Sequence, residues 1–194
     1  MVNKLGGMDG VTKFLRGELI VCEPTCSWRE HDGVIYLTVT SDGTTGPEWI
    51  DRLIKKGRRV GAYAESVLRS VDFKPTTGVT YEIAILKGML FNDNDRVTKN
   101  IRAEAETRKL TVPNTEVACL IRENFSDEEI EAMGLLWITT MHEPIKDSDG
   151  VSRLLSARRR DGGSWLDASY DDPGSGWRRK GGFVFVVSQV VLAT

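Results

Sequence analysis

An α+β fold is predicted: a single domain in which one mixed β-sheet carries central helices packed on it and ends in a β-rich C-terminal part. Three observations lead there. In Val34–Thr40, Ile35, Leu37 and Val39 alternate with Val34, Tyr36 and Thr38, and a period of two argues for a strand with one face in a core. Between Pro47 and Gly134 the apolar residues mostly recur at helical spacing instead. The last third breaks into short apolar runs divided by glycines and closes on FVFVVSQVVL, which suits a central strand covered on both faces.

Taken in order, Glu18–Cys22 reads as a strand, followed by Val34–Thr40. Ser41–Gly46 (SDGTTG) is a turn, because its glycines accept positive φ and its side chains can cap amides. A helix N-terminus is a natural anion site, but the loop lacks the lysine-bearing phosphate pattern, so capping is the expected role. Pro47 suits the first turn of a helix, with Trp49, Leu53 and Ile54 as its apolar stripe and Gly57 as its stop. Val60, Tyr63, Ala64, Val67 and Leu68 carry a second helix, and Val79–Lys87 follows as a strand.

Asp93 or Asn94 is placed to cap a helix running to Lys109 with a charged outer side. After Pro113-Asn114 comes a helix bearing Val117, Leu120 and Ile121. Ser126-Asp127-Glu128-Glu129 has the form of a capping box, and Gly134 ends that helix before the strand Leu135–Met141. Leu154–Ala157, Trp165–Ser169 and Phe183–Val190 are the remaining strands, with turns at Gly162-Gly163, Gly174–Gly176 and Gly181-Gly182.

The chain of 194 residues fits one globular unit over 1–194, with 1–13 a loosely ordered N-terminus. Its 40% hydrophobic and 28% charged content excludes a disordered chain, and a net charge of −2 gives no global drive toward nucleic acid or anionic membrane. No apolar run is long enough to span a bilayer, and the first residues lack the apolar core of a secretory signal. The expected location is cytoplasmic. Cys22 and Cys26 form C-x3-C without a second pair for zinc, and Cys119 sits in an apolar helical stripe. Reduced, structural thiols are expected, although a bend at Pro24 could bring the first two together.

Two candidate sites stand out. His142 and Glu143, with Asp147 and Asp149 behind them, follow a core strand directly, so a rigid element could aim them. In the enzymatic reading His142 is a general base or ligand, and Asp147 and Asp149 bind a divalent metal. The alternative is a loop whose aspartates satisfy turn amides, since no known metal spacing is matched. The second candidate is C-terminal: Arg158-Arg159-Arg160 and Arg178-Arg179-Lys180 flank Trp165, Tyr170 and Trp177. Arginine beside exposed aromatics suits a protein interface or single-stranded nucleic acid, whereas Asp171-Asp172 interrupts the patch and charges beside glycine turns are ordinary. The chain has no G-x-S-x-G elbow and no dinucleotide fingerprint.

The phrases SDGTTGPEWIDRL, LRSVDFKPTTGVTYEIAILKG, ACLIRENFSDEEIEAMGL, MHEPIKDSDG and GFVFVVSQV resemble those of an uncharacterised bacterial protein family with no assigned activity. The likeness runs from Phe14 to Val190. It implies a single-domain bacterial protein and nothing about mechanism. The leading expectation is a non-enzymatic binding or interaction module that meets a protein partner or its own copies through Arg158, Trp165, Tyr170, Trp177 and Arg178. The alternative is a metal-assisted hydrolase built on His142, Glu143, Asp147 and Asp149.

Overall fold

Asp32 and Gly33 both take positive φ, 49° and 74°, and join β1 (Trp28–His31) to β2 (Val34–Asp42). A two-residue turn of this kind matches the twist of paired strands, which is why Asp-Gly recurs in hairpins. The computed structural model describes residues 12, 16, 27–160 and 162–191. The strand expected at Glu18–Cys22 and both Cys22 and Cys26 lie outside them.

The helices are α1 (Gly46–Lys55), α2 (Ala62–Arg69), α3 (Thr98–Thr107), α4 (Val117–Asn124) and α5 (Asp127–Ala132). The further strands are β3 (Arg59–Val60), β4 (Thr77–Lys87), β5 (Trp137–Thr140), β6 (Ile145–Lys146), β7 (Ser152–Arg160), β8 (Gly163–Tyr170) and β9 (Gly181–Val191). All nine belong to one sheet in the order β1-β2-β4-β9-β5-β7-β8-β3, with β6 paired to β7 off that path. Two contacts are parallel, β5 to β9 and β3 to β8, and the others are antiparallel. The α+β fold with one mixed sheet, packed helices and a β-rich C-terminal part is therefore what the chain adopts.

The sheet has two unequal sides. On one, Ile35, Leu37, Ile83, Ile85, Leu155 and Leu166 pack against Trp49 and Leu53 of α1, Val67 and Leu68 of α2, Ile121 of α4 and Ile130 of α5. On the other, Val34, Leu86, Met141, Leu154, Phe183 and Phe185 meet only Ile101 and Ala105 of α3 and a few loop residues. Burial of one such aliphatic or aromatic side chain contributes roughly 1.5–3 kcal/mol, so the four-helix side holds most of the stabilising area. In β9, Val184 and Val186 enter the first core while Phe183 and Phe185 enter the second, as its nearly all-apolar run leads one to expect.

Local chemistry sets the ends. The Ser126 hydroxyl accepts the Glu129 amide at 3.2 Å and Glu129 accepts the Ser126 amide at 2.8 Å, closing the predicted capping box. Several expectations need correction. Ile54 is 56% exposed and the core position is taken by Ile50, because the turn of α1 rotates residue 54 outward. Val60 is in β3, not a helix, and Tyr63 is 42% exposed. Neither Asp93 nor Asn94 caps α3: its N-cap is Val97, and Asp93 pairs with Arg96 at 2.7 Å. Gly181-Gly182 opens β9 and the turn lies one step earlier, at Arg179-Lys180. No helix among the described residues is long and apolar enough to cross a membrane.

Candidate functional site

His142 lies two residues beyond β5 and is 1% exposed. Its Nδ1–H donates to the Glu143 carbonyl at 2.7 Å, and its Nε2 accepts the Leu155 amide at 3.0 Å. With both nitrogens on backbone groups the neutral tautomer is fixed. Burial pulls its pKa down to about 4, with the Glu143 carbonyl opposing and the charge of Arg102 adding to the fall. Asp147 also turns inward: it accepts the Asp149 and Val151 amides at 2.9 Å each and meets Arg153 Nε at 2.6 Å. Burial would raise its carboxyl, but these donors outweigh it and hold the group below the usual range. Glu143 and Asp149 are exposed.

The four side chains expected to hold a metal are thus not brought together. Among the described residues no group of three or more His, Cys, Asp or Glu side chains is placed to bind one. The partner of Asp147 has its own setting: the Arg153 guanidinium carbon lies 4.1 Å from the ring centres of both Tyr63 and Tyr170, a cation held between two π-faces.

The C-terminal candidate is assembled by strand register. Arg158 of β7 stands opposite Trp165 of β8 and, on its other side, opposite Trp137 of β5. Trp137 stands opposite Gly181 of β9, and Trp165 opposite Arg59 of β3. Five strands thus contribute one row, Gly181–Trp137–Arg158–Trp165–Arg59, on the side of the sheet away from α1, α2, α4 and α5. The Arg158 guanidinium carbon is 5.7 Å from the Trp137 ring centre, and those of Arg59 and Arg160 are 5.4 and 5.6 Å from Trp165. These distances fall inside cation–π range. A glycine is required at the end of the row, since a Cβ at Gly181 would lie 2.9 Å from three atoms of the Trp137 indole.

Asp167 holds the arginines. Its Oδ2 pairs with Arg160 and lies 3.8 Å from Arg158 Nε, while its Oδ1 accepts the Ala168 amide at 3.0 Å. Burial, opposed by Asp167 and reinforced by Arg160 and Arg178, lowers the Arg158 pKa from its ordinary value. Three donors along the row, Trp137 Nε1, Arg158 Nε and Trp165 Nε1, reach no acceptor among the described residues.

Beside the row runs an open groove of about 520 Å³, lined by Tyr63, Arg158, Arg160, Asp167, Tyr170 and Trp177 among others. It passes over the outer edge of β8, with which no described strand pairs beyond Leu166. Tyr170, 59% exposed, lies on the far side of that edge, stacked on Arg153.

Trp177 is tied down rather than free. Its Nε1 donates to Thr98 Oγ1 at 3.0 Å, and its ring meets Phe183 edge-on at 5.4 Å. The surrounding loop caps α3: the Thr98 and Lys99 amides donate to the carbonyls of Ser175 and Pro173, and Arg102 pairs with Asp171 at 3.1 Å. Arg178 is exposed and forms no ion pair among the described residues.

Of the five residues named for this patch, Arg158, Tyr170 and Trp177 line the groove, Trp165 adjoins Arg158 in the row, and Arg178 follows Trp177 in the chain. Sequence reasoning missed Trp137, read only as part of a core strand, and Arg59. One signal was available. A hairpin closing between Arg160 and Gly163 sets every later pairing, and it puts 158 against 165. The β3 and β5 partners are distant in sequence and left no such mark.

No protein-family model, no curated protein and no solved structure matches this chain.

Proposed function

We propose that the protein is a cytoplasmic, non-enzymatic binding module whose contact surface is the arginine–tryptophan row and the adjoining groove over the edge of β8. One observation carries this reading: Trp137, Arg158, Trp165 and Arg59 alternate as direct cross-strand neighbours on the thinly covered side of the sheet. Tryptophan and arginine are the side chains most enriched among residues that dominate binding energy. Arg158 and Arg160 meet the Asp167 carboxylate, Arg59 stands in the same row, and Arg178 is close enough to act on Arg158, so the surface suits a partner that carries negative charge and flat groups.

The metal-assisted hydrolase reading would require His142 to give up the Leu155 amide and Asp147 to leave Arg153, and nothing in their placement favours it. The test is a titration of the protein with several polyanions, followed by tryptophan fluorescence, in the wild type and in Trp165→Ala and Arg158→Gln. At least one polyanion should bind, and both substitutions should weaken it tenfold or more. Binding indifferent to both substitutions in folded protein would end the proposal.

A further inference from the structure

We infer that the ligand of this surface is single-stranded nucleic acid, an inference that rests on the binding reading above and narrows it to one chemistry. A single strand offers phosphates at regular intervals and unpaired flat bases, and proteins grip it by pairing arginines with aromatic platforms. The surface presents both in alternation. Guanidinium groups of Arg59, Arg158 and Arg160 lie within 5.4–5.7 Å of indole ring centres, and planar guanidinium groups stack on bases as readily as they pair with phosphates. At the other end of the groove, Tyr63 and Tyr170 enclose Arg153 and are 42% and 59% exposed, so stacking surface remains open to a base.

Two further features favour a strand of nucleotides over an extended acidic peptide. A peptide would bind the free edge of β8 by adding a strand, but the Ala168 amide is already taken by Asp167 Oδ1 at 3.0 Å. The unsatisfied donors of Trp137, Arg158 and Trp165 lie on the sheet face and not on its edge. Double-stranded nucleic acid fits less well, because its bases are stacked away from aromatic side chains.

The experiment is fluorescence anisotropy of the full chain with labelled oligothymidylate and oligouridylate of about twelve nucleotides, a length within the usual span of such sites. A duplex and an oligoglutamate of equal length serve as comparators. The single strands should bind with higher affinity than either. Trp165→Ala and Arg158→Gln should each weaken them tenfold or more, and the exposed change Arg178→Glu should also weaken them without affecting the fold. With three to four phosphates neutralised, raising salt fourfold should reduce affinity about 20- to 50-fold.

Oligoglutamate binding through the same residues, with no saturable binding of single strands, would overturn the nucleic-acid inference and leave the binding surface standing. Failure of every polyanion to bind would remove both. Single-strand binding untouched by all three substitutions in folded protein would also overturn the inference, since the contact would lie elsewhere.

Discussion

The Leu155 amide donates to His142 Nε2 at 3.0 Å, so a residue of β7 is bonded through an imidazole to the loop that leaves β5. The bond exists only while the ring is neutral. Because burial pulls the folded pKa from 6.5 to about 4, the unfolded chain takes up a proton on His142 before the folded one does. Stability from this source is complete above pH 6.5 and is lost as pH falls toward 4. Between pH 7 and pH 5 the loss should be about 2 kcal/mol. Urea unfolding at the two pH values should show it in the wild type, and His142→Asn should remove that part of the pH dependence.

Gly181→Ala should disturb the row at its closed end. The new Cβ would meet the Trp137 ring at 2.9 Å, and overpacking of this kind costs about 1–3 kcal/mol. Relief requires the Trp137 indole to move off Gly181, so its fluorescence should change along with the lower melting temperature. An unaltered spectrum and melting temperature would show that the indole does not rest on Gly181.

Arg153 and Asp147 make a different prediction, about order rather than size. Replacing Arg153 with Met leaves the inward-turned Asp147 without its cation, while the two tyrosines lose the group between them. The single change Arg153→Met should lower the melting temperature more than the double change Arg153→Met/Asp147→Asn, because the second substitution removes the orphaned charge. The reverse order in thermal denaturation would mean that the amide bonds of Asp147 matter more than its charge.

Tyr81 donates to the buried Glu116 at 3.0 Å. Burial and the neighbouring carboxylate push its pKa up to about 12, against a lowering contribution from Thr76. The unfolded phenol ionises near pH 10, so this contribution to stability is present below that pH and fades as pH rises toward 12. Alkaline difference spectroscopy should show a late-titrating tyrosine that Tyr81→Phe abolishes.

Local patterns were legible in the sequence wherever one segment carried the whole signal. The alternation of Val34–Thr40, the capping box at Ser126 and the two-sided apolar run of β9 each depend on residues within one element, and each appears as expected. Misreadings arose where a distant partner decides. Val60 has helical spacing to Ala64 and Val67 but pairs instead with Leu166. Asp93 looks like a cap, yet the buried Arg96 claims it while donating to the carbonyls of Gly88 and Phe91. His142 and Asp147 resemble ligands by residue type, and only the tertiary structure reveals that backbone amides already use them. The row behaves likewise: Arg158 and Trp165 are a local hairpin pair, whereas Trp137 and Arg59 reach them only through the sheet.

The position of β9 has a consequence for biosynthesis. It is the last described strand to be translated, yet it lies in the middle of the sheet, with β4 on one side and β5 on the other. Until residues 181–191 leave the ribosome, the β1-β2-β4 ribbon and the β5-β7-β8 ribbon each keep a raw inner edge that none of the other described strands covers. Such edges invite pairing with other nascent chains. The joining of the two ribbons is therefore a late event, and the row from Gly181 to Arg59 cannot exist before it.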